Sequence, residues 1–494
     1  MNNIFLTLFI MMLGVNSCSS QEKSVPKINQ PFENYKNWFT QTINLEGING
    51  AAIALIDGEK IIWSDEYGCL DNDDDKSVNS ETIFNIQSVS KSITATAVMI
   101  AVQKRLIELD KPISDYLPEF TVNSCFEKDP QKKITMRNLL SHTAGFTHEA
   151  PVGNNYDAFF PSYEAHIKSI SDTWLKFSVG SKYSYSNLGV DIAAYILEKV
   201  SKKSFPEFLK EELFERLGMN VTTIEPNVIL KNNNRAIGHS YGLSALPAIM
   251  PFYGSGAVYT SLNDIVKFVQ FHINLGRSEN RQLLDKKYLI EMYKPVVINY
   301  NDCALGIAFT KEESSYAYTH SGGGFGFGAT IKWYPEYKIG VVVLANKDYT
   351  NSIYITASRI ADDYMKQNKI IIDSASINFN PDEHYRKLEN HKSDLSQYKC
   401  RGDSIFKSYW GKYIGTYSPI FKGGFEFKWY AKVARFFGFT KQKFVVYKKD
   451  DCLYLKNGGD EKLIEIEPGL FINSEGESLD FRGELPRYRN IQLE

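Results

Sequence analysis

The run Ile93–Val102 carries no charge and is apolar nearly all the way round a helix, broken only by Thr94 and Thr96. Such a helix has no face for water, so it must lie at the centre of a fold with other elements on every side. At 494 residues the chain can build that core and still hold two or three domains. Immediately before the run stands Gln87-Ser88-Val89-Ser90-Lys91. Ser88 and Lys91 are three apart, so on a helix the amine lies beside the hydroxyl. A lysine whose pKa is lowered by burial can take the proton of a serine that is otherwise a poor nucleophile. Taken alone, the motif is better read as a capping serine with a solvated first-turn lysine. The rest of the chain shifts that balance.

The chain begins with an apolar stretch from Ile4 to Leu13, too short to span a bilayer and fitting a signal peptide over residues 1–17. It ends in Val15-Asn16-Ser17-Cys18, which resembles a bacterial lipobox. That resemblance implies export, cleavage before Cys18 and lipidation of Cys18, with residues 18–32 as a polar tether to a bacterial membrane. No later stretch is long and apolar enough for a transmembrane helix. The remaining cysteines, Cys69, Cys125, Cys303, Cys400 and Cys452, are scattered, and we expect mostly reduced thiols. There is no zinc-like spacing, so no metal is expected. The formal net charge of -2 gives no electrostatic reason to expect nucleic acid. No oligomeric state follows from the sequence.

Glu33–Leu45 has the spacing of a surface helix with Tyr35, Trp38, Phe39 and Ile43 on or near one face. Ala51–Ile56 and Ile61–Trp63 flank Asp57-Gly58, a hairpin signal. Thr135 and Ser261 are placed as helix N-caps. His142 reads as a structural histidine bonded to backbone. Helices are expected over 190–202, 205–217 and 351–366, and strands over 304–309, 316–319, 328–333 and 340–344. This is an α+β layout whose antiparallel sheet takes strands from distant parts of the chain. Residues 367–404 form a charged linker. Residues 405–494 are strand-rich and suggest a small all-β domain. Within it, residues 424–437 read better as a packed strand than as an interfacial helix.

Three elements stand in order: Ser88-Val89-Ser90-Lys91, Tyr185-Ser186-Asn187 and His320-Ser321-Gly322. Together they resemble the serine β-lactamase and penicillin-binding-protein superfamily, which is marked by Ser-x-x-Lys. The branch is that of class C β-lactamases, serine DD-peptidases and related esterases. Leu139–Gly145, Gly254-Ser255-Gly256 and Gly323 add to the likeness. The resemblance covers about residues 33–366. It implies a β-lactamase/transpeptidase-like domain: an antiparallel sheet flanked by helices, plus a helical subdomain.

It also implies roles. Ser88 would be acylated, Lys91 would exchange its proton, and Tyr185 would act as general base or relay. Asn187 would hold Lys91 and the substrate amide. The N–H groups of Ser88 and Gly323 would form an oxyanion hole, and His320, Ser321 and Gly322 would lie along the substrate-binding strand. No cofactor is implied. The expected activity is that of a serine hydrolase on an ester, a D-amino-acid amide or a peptidoglycan-type peptide. The alternative is a penicillin-recognising binding or sensor protein, or a β-lactamase. His320 stands where many β-lactamases carry lysine, and this weakens the antibiotic-resistance reading. The expected partners are a small-molecule or peptide substrate and, through lipid, a membrane.

Overall fold

The computed structural model describes residues 30–370 and 407–493, apart from 72–75, 155–161, 241–247, 250–251, 280, 298–302, 313–314, 349–350, 419–442, 451, 457–458, 474–475, 484–485 and 489–490. The apolar leader, Cys18, the tether, nearly all of the charged linker and residues 424–437 lie outside the described residues. No described helix is long and apolar enough to cross a membrane.

Helix α1 (Gln30–Glu46) leads into the hairpin β1 (Gly50–Asp57) and β2 (Lys60–Gly68), joined at Asp57-Gly58 as the sequence suggested. The central helix α2 (Ser90–Gln103) follows, then α3 (Asn187–Ser201) and α4 (Leu262–Ile273). Four more strands come next: β3 (Ala308–Glu312), β4 (Ser315–Gly324), β5 (Phe327–Tyr334) and β6 (Ile339–Ala345). Helix α5 (Asn351–Gln367) ends this part. The six strands form one antiparallel sheet in the order β2-β1-β6-β5-β4-β3. Pairing of β1 with β6 closes the two ends of the region onto each other.

Strand β1 shows why the sheet is central. Its side chains alternate between two cores. Ala51, Ile53 and Leu55 pack with Tyr35, Phe39 and Ile43 of α1 and with Ile353, Ala357 and Ile360 of α5. Ala52, Ala54 and Ile56 face the larger core that contains α2 and α4. A strand covered on both faces has no need of polar alternation, hence the unbroken run Ala51–Ile56. In α2, every residue from Ser90 to Ala101 is buried. Three of its polar side chains donate to carbonyls: Ser92 Oγ to Gly306 O, Thr94 Oγ1 to Gly254 O and Thr96 Oγ1 to Ser92 O.

Local signals held at the caps. Thr135 forms a capping box with Asn138, and Ser261 Oγ accepts from Asp264 N. Three expectations change. Ser88 does not cap a helix but sits in a 3₁₀ turn, Gln87–Val89, ahead of α2. The strand expected from Ala304 begins at Ala308. The helix expected over 205–217 is interrupted by a π turn at Lys210–Phe214. Among the cysteines, Cys125, Cys303 and Cys452 are thiols as expected, whereas Cys69 is in a disulfide.

Among the described residues, the C-terminal part holds two antiparallel sheets. One contains β7 (Gly415–Tyr417), β8 (Phe444–Lys449), β9 (Cys452–Lys456) and β10 (Asp460–Lys462). The other contains β11 (Ile464–Glu467), β12 (Leu470–Ile472), β13 (Ser478–Asp480), β14 (Arg487–Tyr488) and β15 (Ile491–Gln492). They share a core around Trp410, Leu453, Phe471 and Tyr488.

Candidate active site

The turn that presents Ser88 is built from backbone strain and one asparagine. Gln87 has φ +47°, a left-handed value that costs a non-glycine residue about 1–3 kcal/mol. Asn85 Oδ1 accepts from Gln87 N at 2.8 Å, while Asn85 Nδ2 donates to Gly256 O at 3.2 Å. The turn is thereby tied to the Gly254-Ser255-Gly256 segment. Ser88 is half-exposed, while both of its neighbours are buried.

Lys91, the second residue of α2, is completely buried. Its Nζ donates to Ser88 Oγ at 3.1 Å and to Ser255 O at 2.7 Å. The expectation that Asn187 holds Lys91 does not describe the hydrogen bonds observed. Asn187 is the buried first residue of α3, and the Ser255 carbonyl takes that place. The carbonyl is itself fixed, because Asp191 Oδ1 accepts from Ser255 N at 2.9 Å and Asp191 Oδ2 from Ser255 Oγ at 3.2 Å. Behind it, His166 Nε2 lies 3.2 Å from Asp191 Oδ2. Asp191, His166 and Ser255 were not singled out in the sequence as parts of the site. A backbone carbonyl leaves no residue-type signal, and Asp191 reads only as a polar residue in an apolar helix.

Tyr185 lies beside the amine, with Lys91 Nζ 5.0 Å from the centre of its ring. The ring has His142 at 4.5 Å and His148 at 5.6 Å between ring centres. His142 makes the backbone bond expected of it, its Nδ1 accepting from Ser186 N at 3.2 Å, which puts its proton on Nε2. Burial first, then the positive charge of Lys91, holds its pKa well below the ordinary value. His142 therefore meets Tyr185 as a neutral ring. His148 is engaged by Glu149 at 2.6 Å. Ser186 caps α3, its Oγ accepting from Gly189 N and donating to Thr147 O at 2.7 Å.

Strand β4 closes the other side. Side chains two apart share a face of a strand, so His320 and Gly322 lie together. A Cβ built on Gly322 would fall 2.8 Å from Ser88 N and 2.4 Å from Ile86 O, so this face is the one against the Ser88 turn. Ser321 points the other way, and its hydroxyl meets Thr330 across the sheet. Gly323 is exposed and pairs with Gly328. His320 is buried, and its Nδ1 donates to Ser321 O at 2.9 Å. Burial, reinforced by Lys91, brings its pKa down from 6.5 to about 3. It presents no positive charge at neutral pH.

The structure thus brings Ser88, Lys91, Tyr185, Asn187, His320 and Gly322 onto neighbouring elements around one hydroxyl. A serine held by a buried amine, beside a phenol and under a strand edge rich in glycine, is suited to nucleophilic attack on a carbonyl.

Comparison with known proteins bears on this arrangement. D-alanyl-D-alanine-carboxypeptidase/endopeptidase AmpH of Escherichia coli (strain K12) is 25% identical over 314 residues, covering 61% of this chain and 80% of that protein. A Beta-lactamase of Yersinia enterocolitica is 25% identical over 366 residues, covering 65% of this chain and 88% of that protein. Among solved structures, the octameric penicillin-binding protein homologue from Pyrococcus abyssi aligns with a TM-score of 0.59 at 18% identity, over 94% of this chain and 100% of that one. A class C beta lactamase from Rhodobacter sphaeroides aligns with a TM-score of 0.56 at 18% identity, over 67% of this chain and 99% of that one. These likenesses speak to a β-lactamase/transpeptidase-like fold. The family model named Beta-lactamase matches residues 36–365, two-thirds of the sequence and all three motifs, and the chain belongs to that family.

Proposed function

We propose that the protein is a serine hydrolase that forms an acyl-enzyme on Ser88 with an ester, a D-amino-acid amide or a peptidoglycan-type peptide. The observation that carries this reading is Lys91 Nζ at 3.1 Å from Ser88 Oγ, anchored from behind by the Ser255 carbonyl. In the first step Ser88 Oγ attacks the substrate carbonyl, and its proton passes through the Lys91–Tyr185 pair to the leaving alcohol or amine. The developing oxyanion is met by backbone N–H groups where β4 lies on the Ser88 turn. Water then attacks the acyl-enzyme, the same pair accepts its proton, and Ser88 is restored as the acid leaves.

Similarity to a D-alanyl-D-alanine carboxypeptidase/endopeptidase supports the peptide side of this range. The neutral His320 supports the ester side, because it supplies no charge to draw a substrate carboxylate. The test is mass spectrometry of the intact protein with fluorophosphonate and with a panel of esters, D-peptides and penicillins. A single adduct on Ser88, absent in Ser88→Ala, is the expected result. Labelling that persists at another serine in Ser88→Ala overturns the reading. An acyl adduct that forms on every substrate and never turns over identifies a penicillin-recognising sensor instead.

A further inference from the structure

We infer that Glu477, carried by the C-terminal β domain, is a positioning residue for Tyr185, so that the site is completed by a part of the chain outside the family match. The inference rests on the reading of Tyr185 as the proton carrier.

Glu477 stands at the end of the hairpin between β12 and β13. Its own backbone is locked by Asn473, whose Oδ1 accepts from Glu477 N at 2.7 Å and whose N donates to Glu477 O at 3.0 Å. The hairpin is pressed against the other domain. Gly476 has φ +77°, and a Cβ there would lie 2.0 Å from the carbonyl oxygen of Lys176, so only glycine permits this approach. Glu477 itself is 3% exposed. Its Oε1 accepts from Lys176 Nζ at 2.5 Å, and its Oε2 accepts from Thr147 Oγ1 at 3.0 Å.

Both partners lead to Tyr185 in one further step. Lys176 Nζ also donates to Ser184 Oγ at 3.0 Å. Thr147 O accepts from Ser186 Oγ at 2.7 Å. Ser184 and Ser186 are the residues on either side of Tyr185. One buried carboxylate therefore fixes both shoulders of the tyrosine from the opposite domain. Stability is a weak explanation for such a pair, because apolar residues of similar volume hold a buried contact as well or better. What an ion pair with fixed hydrogen bonds adds is geometry. A ring displaced by about 1 Å costs on the order of a hundredfold in rate.

The experiment uses the full chain and two rates: turnover of p-nitrophenyl butyrate and the second-order rate of fluorophosphonate labelling at Ser88. Removing Glu477 alone would strand the buried Lys176 charge, so the main variant is Lys176→Met with Glu477→Leu, which removes both charges. The expected result is a fall of about ten- to a hundredfold in kcat and in labelling rate, with KM and Tm close to wild type. Glu477→Gln, which keeps an acceptor oxygen but not the charge, should fall severalfold in kcat at unchanged KM and so lie between the two. It also carries the test if the double variant does not fold. As a control, Lys407→Met removes an ion pair to Glu465 within the C-terminal domain and should leave kcat unchanged. A folded double variant, or Glu477→Gln, with wild-type kcat and labelling overturns the inference while leaving the site intact. A wild-type chain not labelled at Ser88 overturns the reading of the site and this inference with it.

Discussion

A lysine placed at position 320 would test how much of the substrate preference is set by charge. In the sequence His320 looks like a simple replacement of a permanent cation by an imidazole near its ordinary pKa. The structure makes the difference larger. Burial and Lys91 bring the imidazole from 6.5 to about 3, so it is neutral throughout the working range. The same surroundings act on any cation placed there. A lysine ordinarily titrates near 10.4, and the same burial and the same neighbouring charge would lower it. The amine of His320→Lys would then hold more of its charge at pH 6 than at pH 8.5. When charged, one well-formed contact to a substrate carboxylate is worth about 1.5–3 kcal/mol, or about ten- to a hundredfold in kcat/KM. The assay is kcat/KM for p-nitrophenyl butyrate and for the p-nitrophenyl hemisuccinate, which carries a carboxylate, on both proteins at both pH values. Wild type should prefer the butyrate, with a ratio flat across pH. His320→Lys should shift toward the hemisuccinate at pH 6 and shift less at pH 8.5. A ratio that does not move, or moves equally at the two pH values, refutes the argument that this position reads charge.

Two further expectations concern the supports of the site. Burial pulls the His166 imidazole down, but its bond to Asp191 and the charge of that carboxylate outweigh burial, and its pKa is raised above 6.5. A raised folded value contributes stability that is fully present below the unfolded pKa and lost as pH rises through the folded one. His166→Asn should therefore cost about 3–5 kcal/mol at pH 6 and clearly less at pH 9 in urea unfolding; equal costs at the two pH values would contradict the pairing. Gly322→Ala would force a Cβ to within 2.4 Å of Ile86 O and 2.8 Å of Ser88 N, both backbone atoms that cannot rotate away. We expect a loss of about 1–3 kcal/mol in stability and on the order of a hundredfold slower fluorophosphonate labelling; unchanged labelling would mean that β4 does not rest on the Ser88 turn.

What the sequence made legible follows from the kind of signal each feature leaves. The central position of α2 was readable because a helix apolar on all sides has one place to go, and every residue from Ser90 to Ala101 is indeed buried. The β1–β2 hairpin was readable from Asp57-Gly58, and the caps at Thr135 and Ser261 from residue type alone. The α+β architecture followed from the order of these elements. The groups that hold the chemistry in place were not readable, because most of them act through the backbone. Lys91 is anchored by the carbonyl of Ser255, a contact any residue at position 255 could make. The family resemblance implied Asn187 there instead. His142 looked like a histidine bonded to backbone, and it is one. Yet its ring also lies 4.5 Å from that of Tyr185, and spacing along a chain carries no record of which rings will meet. Glu477 is the extreme case. Its segment has no acid, base or nucleophile motif, and its link to Tyr185 runs through Lys176, Ser184 and Thr147, residues with ordinary surface chemistry in the sequence. Reactive side chains must be of a given type and so leave a pattern. The atoms that aim them need only be in the right place, and that place is decided by how distant segments pack.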